Sequence, residues 1–194
     1  MNYRQLSDIQ YSHRSYSILS IRQADMLPIK QWRNEQMDVL RQSALLTDED
    51  QMRYYRQTVV PSFDQEAPLL MLFSYLLEGN LIGYGGLTNI DWVNKRAEIS
   101  YLVETGRSSE QNRELYEADF SAFLSLMKRI AFNELSLNRL YTETFDIRPL
   151  HISILEKNGF QLEGRMRQHV RVHGSYADSI IHGCLAEEFD HATK

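Results

Sequence analysis

The sequence holds a single cysteine, Cys184, among its 194 residues. No disulfide can form within the chain, so a reducing, cytoplasmic setting is expected, with Cys184 as a small buried hydrophobe in a late strand. An excess of positive charge is also missing. The net charge is −5 and the pI near 5.7, which argues against a broad grip on nucleic acid or an anionic membrane and leaves a small ligand as the expected partner. Long apolar runs are absent too: the longest, Leu69 to Leu77, contains Ser74 and Tyr75 and falls far short of the ~20 residues a membrane helix needs. It reads as a buried strand. The first residues, Met1 to Ser15, are polar with mixed charge. They lack the apolar stretch of a signal peptide and are expected to form a loosely ordered lead-in. No repeat or linker interrupts the chain, and its length suits one domain, residues 1–194, around one core.

What is present alternates between two periods. Tyr16–Ile21 reads as a strand, followed by a helix over Leu27–Leu40 with Pro28 in its first turn. Thr47-Asp48-Glu49-Asp50 offers a capping box for a second helix reaching about Thr58, after which Pro61–Pro68 reads as a loop. Leu69–Leu77 and Leu81–Thr88 flank Glu78-Gly79-Asn80 as a hairpin. Gly83, Gly85 and Gly86 in its second arm precede no helix, so they mark a bulge or close backbone approach rather than a dinucleotide loop. Asn89–Lys95 is a loop carrying Trp92. In the central strand Arg96–Val103, Ile99, Tyr101 and Val103 face one side and Glu98, Ser100 and Leu102 the other. A polar stretch, Glu104–Asn112, leads to a long helix, Leu115–Leu135, with Leu115, Ala118, Ala122, Phe123, Leu126, Ile130 and Ala131 on its apolar stripe. Gln161–Val172 and Tyr176–Leu185 form a last hairpin.

Between them lies the stretch Arg139–Phe160. Leu140 and Thr142 alternate with Tyr141 and Glu143 as in a strand. The chain then turns into a helix with Asp146 as a candidate cap, Pro149 in the first turn, and Asn158-Gly159 as a left-handed exit. The ending Ile-Leu-Glu-Lys-Asn-Gly-Phe, Ile154 to Phe160, resembles the last conserved helix of the GNAT superfamily of acyl-CoA-dependent N-acetyltransferases. With Trp32-Arg33-Asn34 and Arg96-Ala97-Glu98-Ile99-Ser100-Tyr101, the chain is similar to the branch holding ribosomal-protein and nucleotide-amino-sugar acetyltransferases. The resemblance spans roughly Tyr16 to Glu188. It implies an α/β fold with a mixed, mostly antiparallel sheet, helices on both faces, and a V-shaped split between the central strand and the one beginning at Arg139, in which acyl-CoA lies. It also implies transfer of an acetyl group from acetyl-CoA to an amine by direct attack, without a metal.

Glu98 is the candidate base. A carboxylate in an otherwise apolar strand is costly unless paired or functional, and pairing with a neighbouring arginine is the other reading. The resemblance places the cofactor against Leu102, Val103 and the following loop. That loop lacks the family's glycine pattern, leaving the side chains of Arg107, Ser108, Ser109 and Arg113 to meet phosphate. Arg148 stands where the family has an asparagine and is a further phosphate candidate. The family's downstream tyrosine acid is absent, and His151 is its candidate replacement; an ordinary helix histidine is the other reading. For the acceptor, the resemblance nominates Trp32, Arg33, Asn34, Trp92, His169, Tyr176 and Asp178. The cationic segment Arg165–His173 suits a phosphorylated or sugar-nucleotide substrate or serves as a guarded edge strand. A nucleotide-linked amino sugar is the expected acceptor, with a protein amino terminus second. Exposed strand ends leave room for a homodimer. A GNAT-fold binding or regulatory module without acyl-CoA is the alternative.

Overall fold

The computed structural model describes residues 2–192. Eight strands form one sheet in the order β1-β2-β3-β4-β5-β6-β8-β7: β1 (Gln10–His13), β2 (Tyr16–Ser20), β3 (Met71–Leu77), β4 (Asn80–Asp91), β5 (Arg96–Val103), β6 (Arg139–Phe145), β7 (Gln161–Val172) and β8 (Ser175–Leu185). Every neighbouring pair is antiparallel except β5 with β6. That parallel pair is short. It joins Arg96, Ala97 and Glu98 to Arg139, Leu140 and Tyr141 and stops there, so beyond Glu98 the two strands part as the V-shaped split requires.

Helices α1 (Met26–Glu35), α2 (Asp48–Tyr54) and the one-turn α3 (Val60–Ser62) lie on one face, and α4 (Arg113–Lys128) and α5 (Pro149–Lys157) on the other; α6 (Ala186–Ala192) follows β8. The alternation of β5 sorts its side chains between these layers. Tyr101 points to α4, where its ring lies 4.5 Å from Phe120 and 4.9 Å from Phe123. The β4 glycines are there for close approach, as their sequence context suggests. A Cβ on Gly85 would stand 2.2 Å from the Ser100 carbonyl oxygen, and one on Gly86, at φ +154°, 2.0 Å from that of Met71.

Several local expectations change. The amino-terminal residues are not a loose lead-in: β1 pairs with β2, and Tyr3 is 1% exposed, its hydroxyl donating to Leu72 O and accepting from Leu72 N. Burial drives this, because Tyr3, Leu6 and Tyr11 all add to the core. Helix α1 stops at Glu35 rather than Leu40. Gln36 leaves the helical region and sends its amide to the Val103 carbonyl at 2.8 Å. Helix α2 has the expected capping box between Thr47 and Asp50. It runs on through a π-helical turn, Tyr55–Val59, into α3, so Pro61 lies inside helix rather than opening a loop; the wider turn absorbs the missing proline N–H. Helix α4 is rotated relative to the expected stripe: Ala118 is exposed, while Tyr116, Asp119 and Phe120 are buried. Asp146 does not cap α5; it pairs with Arg165 instead. Pro149 in the first turn and Gly159 at φ +84° behave as expected.

Candidate active site

Where β5 and β6 separate, a cleft of about 330 Å³ opens through the sheet. Its α1-facing side is polar and charged. The Glu98 side chain, 9% exposed, accepts from Arg41 Nη2 at 2.8 Å and from Asn89 Nδ2 at 2.7 Å. The same Arg41 nitrogen donates to Glu143 Oε2 at 2.7 Å. Burial works against the Arg41 charge, but its bonds to Glu98 and Glu143 outweigh it and hold the guanidinium pKa above its ordinary value. Arg33 also reaches this side, bonded to the Tyr84 hydroxyl and Gln42. A second cavity of about 300 Å³ lies between α1, α2 and the sheet and shares Arg33, Thr88 and Ser100 with the cleft.

The α4-facing side is aromatic. His151 in α5 stacks on Phe120 at 4.1 Å, and its Nδ1 lies 2.7 Å from the Tyr116 hydroxyl, which accepts from Arg148 Nη2 at 2.8 Å. The direction of the bond between Tyr116 and Nδ1 is set by the tautomer of the ring. Burial first, then the charges of Arg148 and His182, push the His151 pKa well below its ordinary value, so the ring is neutral. Three further hydroxyls in the cleft wall, on Tyr101, Thr142 and Thr144, are buried and bond to none of the described residues. Buried hydroxyls are ordinarily paired; these suit a ligand carrying amide and carbonyl groups between the strands.

Of the residues expected at the site, the cleft brings together Glu98, His151, Arg148 and Arg33. Arg107 lies outside the cleft lining. It turns inward to a bidentate pair with the fully buried Asp119, at 2.7 and 2.9 Å, because that carboxylate has to be paired. The Ser108 hydroxyl lies within bonding range of both Gln36 Oε1 and Thr105 O and shares its one proton between them, Ser109 borders the same loop, and Arg113 is exposed at the start of α4 with Glu110 as its partner. Leu102 is buried, and the Val103 carbonyl is occupied by Gln36. Away from the cleft, Trp32 is core and Asn34 clamps Leu46 and Gln42. The Trp92 indole donates to Pro68 O. Asp178 accepts from Arg165 and Gln168, Tyr176 is 65% exposed beneath Arg171, and His169 stands 3.6 Å from Glu143. The sequence reading missed Arg41, Asn89, Glu143, Tyr101 and Tyr116. Of these only Glu143 carried a signal, since its strand alternates so as to place it on the face opposite Thr142.

Among the described residues no group of three or more His, Cys, Asp or Glu side chains is placed to hold a metal ion, and no helix is long and apolar enough to cross a membrane.

A mixed sheet split beside one parallel pair, with a carboxylate at the point of separation, is the architecture of a GNAT acyltransferase. The sequence matches the acetyltransferase (GNAT) domain over residues 18–181, so the chain belongs to this family and is an N-acetyltransferase. It is 28% identical over 138 residues to YdaF of Bacillus subtilis (strain 168), which carries the name of a ribosomal N-acetyltransferase, covering 70% of this chain and 72% of that one. Two solved structures share the fold. The spermidine N-acetyltransferase of Vibrio cholerae, in complex with CoA and spermine, superposes with a TM-score of 0.76 at 16% identity, covering 91% and 99% of the two chains. RimL, a ribosomal L7/L12 α-N-protein acetyltransferase in complex with CoA, gives a TM-score of 0.70 at 13% identity over 89% and 95%.

Proposed function

We propose that the chain transfers an acetyl group from acetyl-CoA to a primary amine by direct attack, with Glu98 accepting the amine's proton directly or through a water molecule. The observation that carries this is the position of Glu98, the last residue of β5 paired with β6, in the lining of the cleft where the two strands part. Acetyl-CoA supplies the activated acyl group. The chain supplies the free edge of β5 beyond Glu98, the unpaired hydroxyls of Tyr101, Thr142 and Thr144, and Arg148 and Arg113 as cations for phosphate. His151 lines the cleft and is the candidate proton donor to the departing thiolate, whose thiol pKa of ~8.5, if it behaves as a cysteine, demands little help at neutral pH.

For the acceptor we favour a protein amino terminus. The likeness to YdaF supports it, and the cavity between α1 and α2 gives room for the residues that follow the amine. The sugar-nucleotide reading rests on the resemblance carried by Trp32-Arg33-Asn34 and the capped helix Thr47–Tyr54; the cationic strand adds less, since its Arg165 is already bound by Asp146 and Asp178. The test is a thermal-shift and calorimetric titration with acetyl-CoA, followed by turnover with peptides and amino sugars. Ligand at 100 times its dissociation constant stabilises the fold by ~2.7 kcal/mol. No shift at millimolar acetyl-CoA would overturn the reading in favour of a module without acyl-CoA chemistry.

A further inference from the structure

We propose that Arg41 is an internal stand-in for the acceptor: its guanidinium occupies the place of the substrate's ammonium between Glu98 and Glu143, so the acceptor is a cationic primary amine that displaces it. The proposal rests on the acyltransfer reading above and names the chemical class of its acceptor.

The two carboxylates frame one position. Glu98 is paired with Tyr141 at the end of the parallel ladder, and Glu143, two residues on, faces the same side of β6. They therefore flank the apex of the split on its α1 side. One nitrogen, Arg41 Nη2, serves both, at 2.8 and 2.7 Å, while Nη1 makes only a long contact with Glu98 Oε2 at 3.4 Å. One nitrogen giving separate protons to two carboxylates is the geometry of an ammonium. An ammonium has a third proton, whereas this guanidinium nitrogen has two. An acceptor is missing a donor at this same point: Glu143 Oε1 is buried and receives no hydrogen bond from the described residues, with His169 Nε2 outside bonding range at 3.6 Å. Glu98, by contrast, has both oxygens occupied, by Arg41 and Asn89.

Arg41 is also placed to leave. It belongs to the irregular segment between α1 and α2, beyond the single turn Met37–Val39, and its side chain is 53% exposed. Swinging into water costs it little, because the solvated state of an exposed arginine is close at hand. Once it leaves, two carboxylates remain at the apex, and only a cation restores balance. The other cleft arginines bond neither carboxylate: Arg33 is held by Tyr84 and Gln42 and Arg148 by Tyr116, all neutral partners. An acidic or phosphorylated group at this point is repelled.

The experiment uses the full chain saturated with CoA, titrated calorimetrically with n-propylammonium chloride at low ionic strength, as wild type, Arg41→Ala, Arg41→Gln and Glu143→Gln. If the latch is closed in about nine-tenths of the molecules, both Arg41 variants bind the probe ~10-fold more tightly than wild type, and Glu143→Gln binds more weakly than wild type. Equal or weaker binding in both Arg41 variants overturns the inference, as does the absence of binding in all four proteins. The CoA titration that precedes it is a separate arm. CoA binding with an unchanged probe affinity sinks only the stand-in, while failure to bind CoA removes the acyltransfer reading itself.

Discussion

Two arginine–carboxylate clusters lie on opposite sides of β5, and they are built to different ends. On the α4 side, Arg107 grips Asp119 with two nitrogens, the carboxylate is 0% exposed, and the Tyr16 hydroxyl adds a third donor at 3.0 Å. Burial and this carboxylate push the Tyr16 pKa up to about 12, so Tyr16 remains a donor across the working pH range. On the α1 side, Arg41 spans two carboxylates from an exposed position and leaves one oxygen without a donor. The first cluster is closed, with both Asp119 oxygens satisfied, and lines no part of the cleft. The second is open and lines it. Pairing alone does not separate a structural charge from a functional one; exposure of the partner and an unfilled acceptor do.

The sharpest break of this comparison is Glu98→Gln, which keeps the shape and removes the proton acceptor. Turnover at neutral pH is expected to fall ~10²- to 10⁴-fold, with the thermal unfolding midpoint close to wild type. Steady-state kinetics with a competent amine decide it, and undiminished turnover moves the base from Glu98. Next comes the closed cluster. Asp119→Ala strands the Arg107 charge, 16% exposed, and is expected to cost ~3–5 kcal/mol in denaturant unfolding. Arg107→Ala is expected to cost a similar amount, and the double variant much less than their sum, because the two act as a unit.

The closed side also excludes a charge it cannot pair. His151 is buried among Phe120, Tyr116 and Tyr101 with its pKa pushed well below the ordinary value. The unfolded chain therefore takes up a proton that the folded chain refuses as pH falls below ~6.5. Stability contributed by the neutral ring is present above that pH and is lost on acidification, by at most ~1.4 kcal/mol per pH unit. Unfolding curves between neutral and mildly acidic pH are expected to diverge between wild type and His151→Phe, the wild type losing more. Parallel curves would show that the ring titrates freely in the folded state.

Much of the frame was legible in the sequence because it depends on neighbours in the chain. The alternation of β5 and β6, the Thr47 capping box and the Gly159 exit fall where local patterns put them, and the β3–β4 hairpin turns at Glu78-Gly79, one residue tighter than the expected connection because Asn80 already pairs with Leu77. The split of the sheet was visible only through resemblance, since where a parallel ladder stops depends on twist and packing rather than on any run of residues. The clusters were hidden for a related reason. Arg107 sits in a polar loop and looks free for phosphate, yet its partner is an aspartate inside a helix whose apolar stripe appeared to exclude it. Arg41 pairs with residues 57 and 102 positions away. Nothing nearby in sequence announces either contact.

The smallest expected effect is on stability at the open cluster, and it is the one that separates a latch from a strut. If Arg41 were holding β5 to β6, its removal would cost as much as opening the closed cluster. Its side chain is half exposed, however, so solvent already screens much of its attraction, and Asn89 continues to bond Glu98 after it is gone. Arg41→Ala is therefore expected to lower unfolding stability by about 1 kcal/mol or less, against ~3–5 kcal/mol for Arg107→Ala. The two variants are compared by denaturant titration under identical salt. A cost for Arg41→Ala equal to that of Arg107→Ala would make the open cluster a structural tie like the other, and the position of Arg41 between the carboxylates would then reflect packing rather than a place kept for an amine.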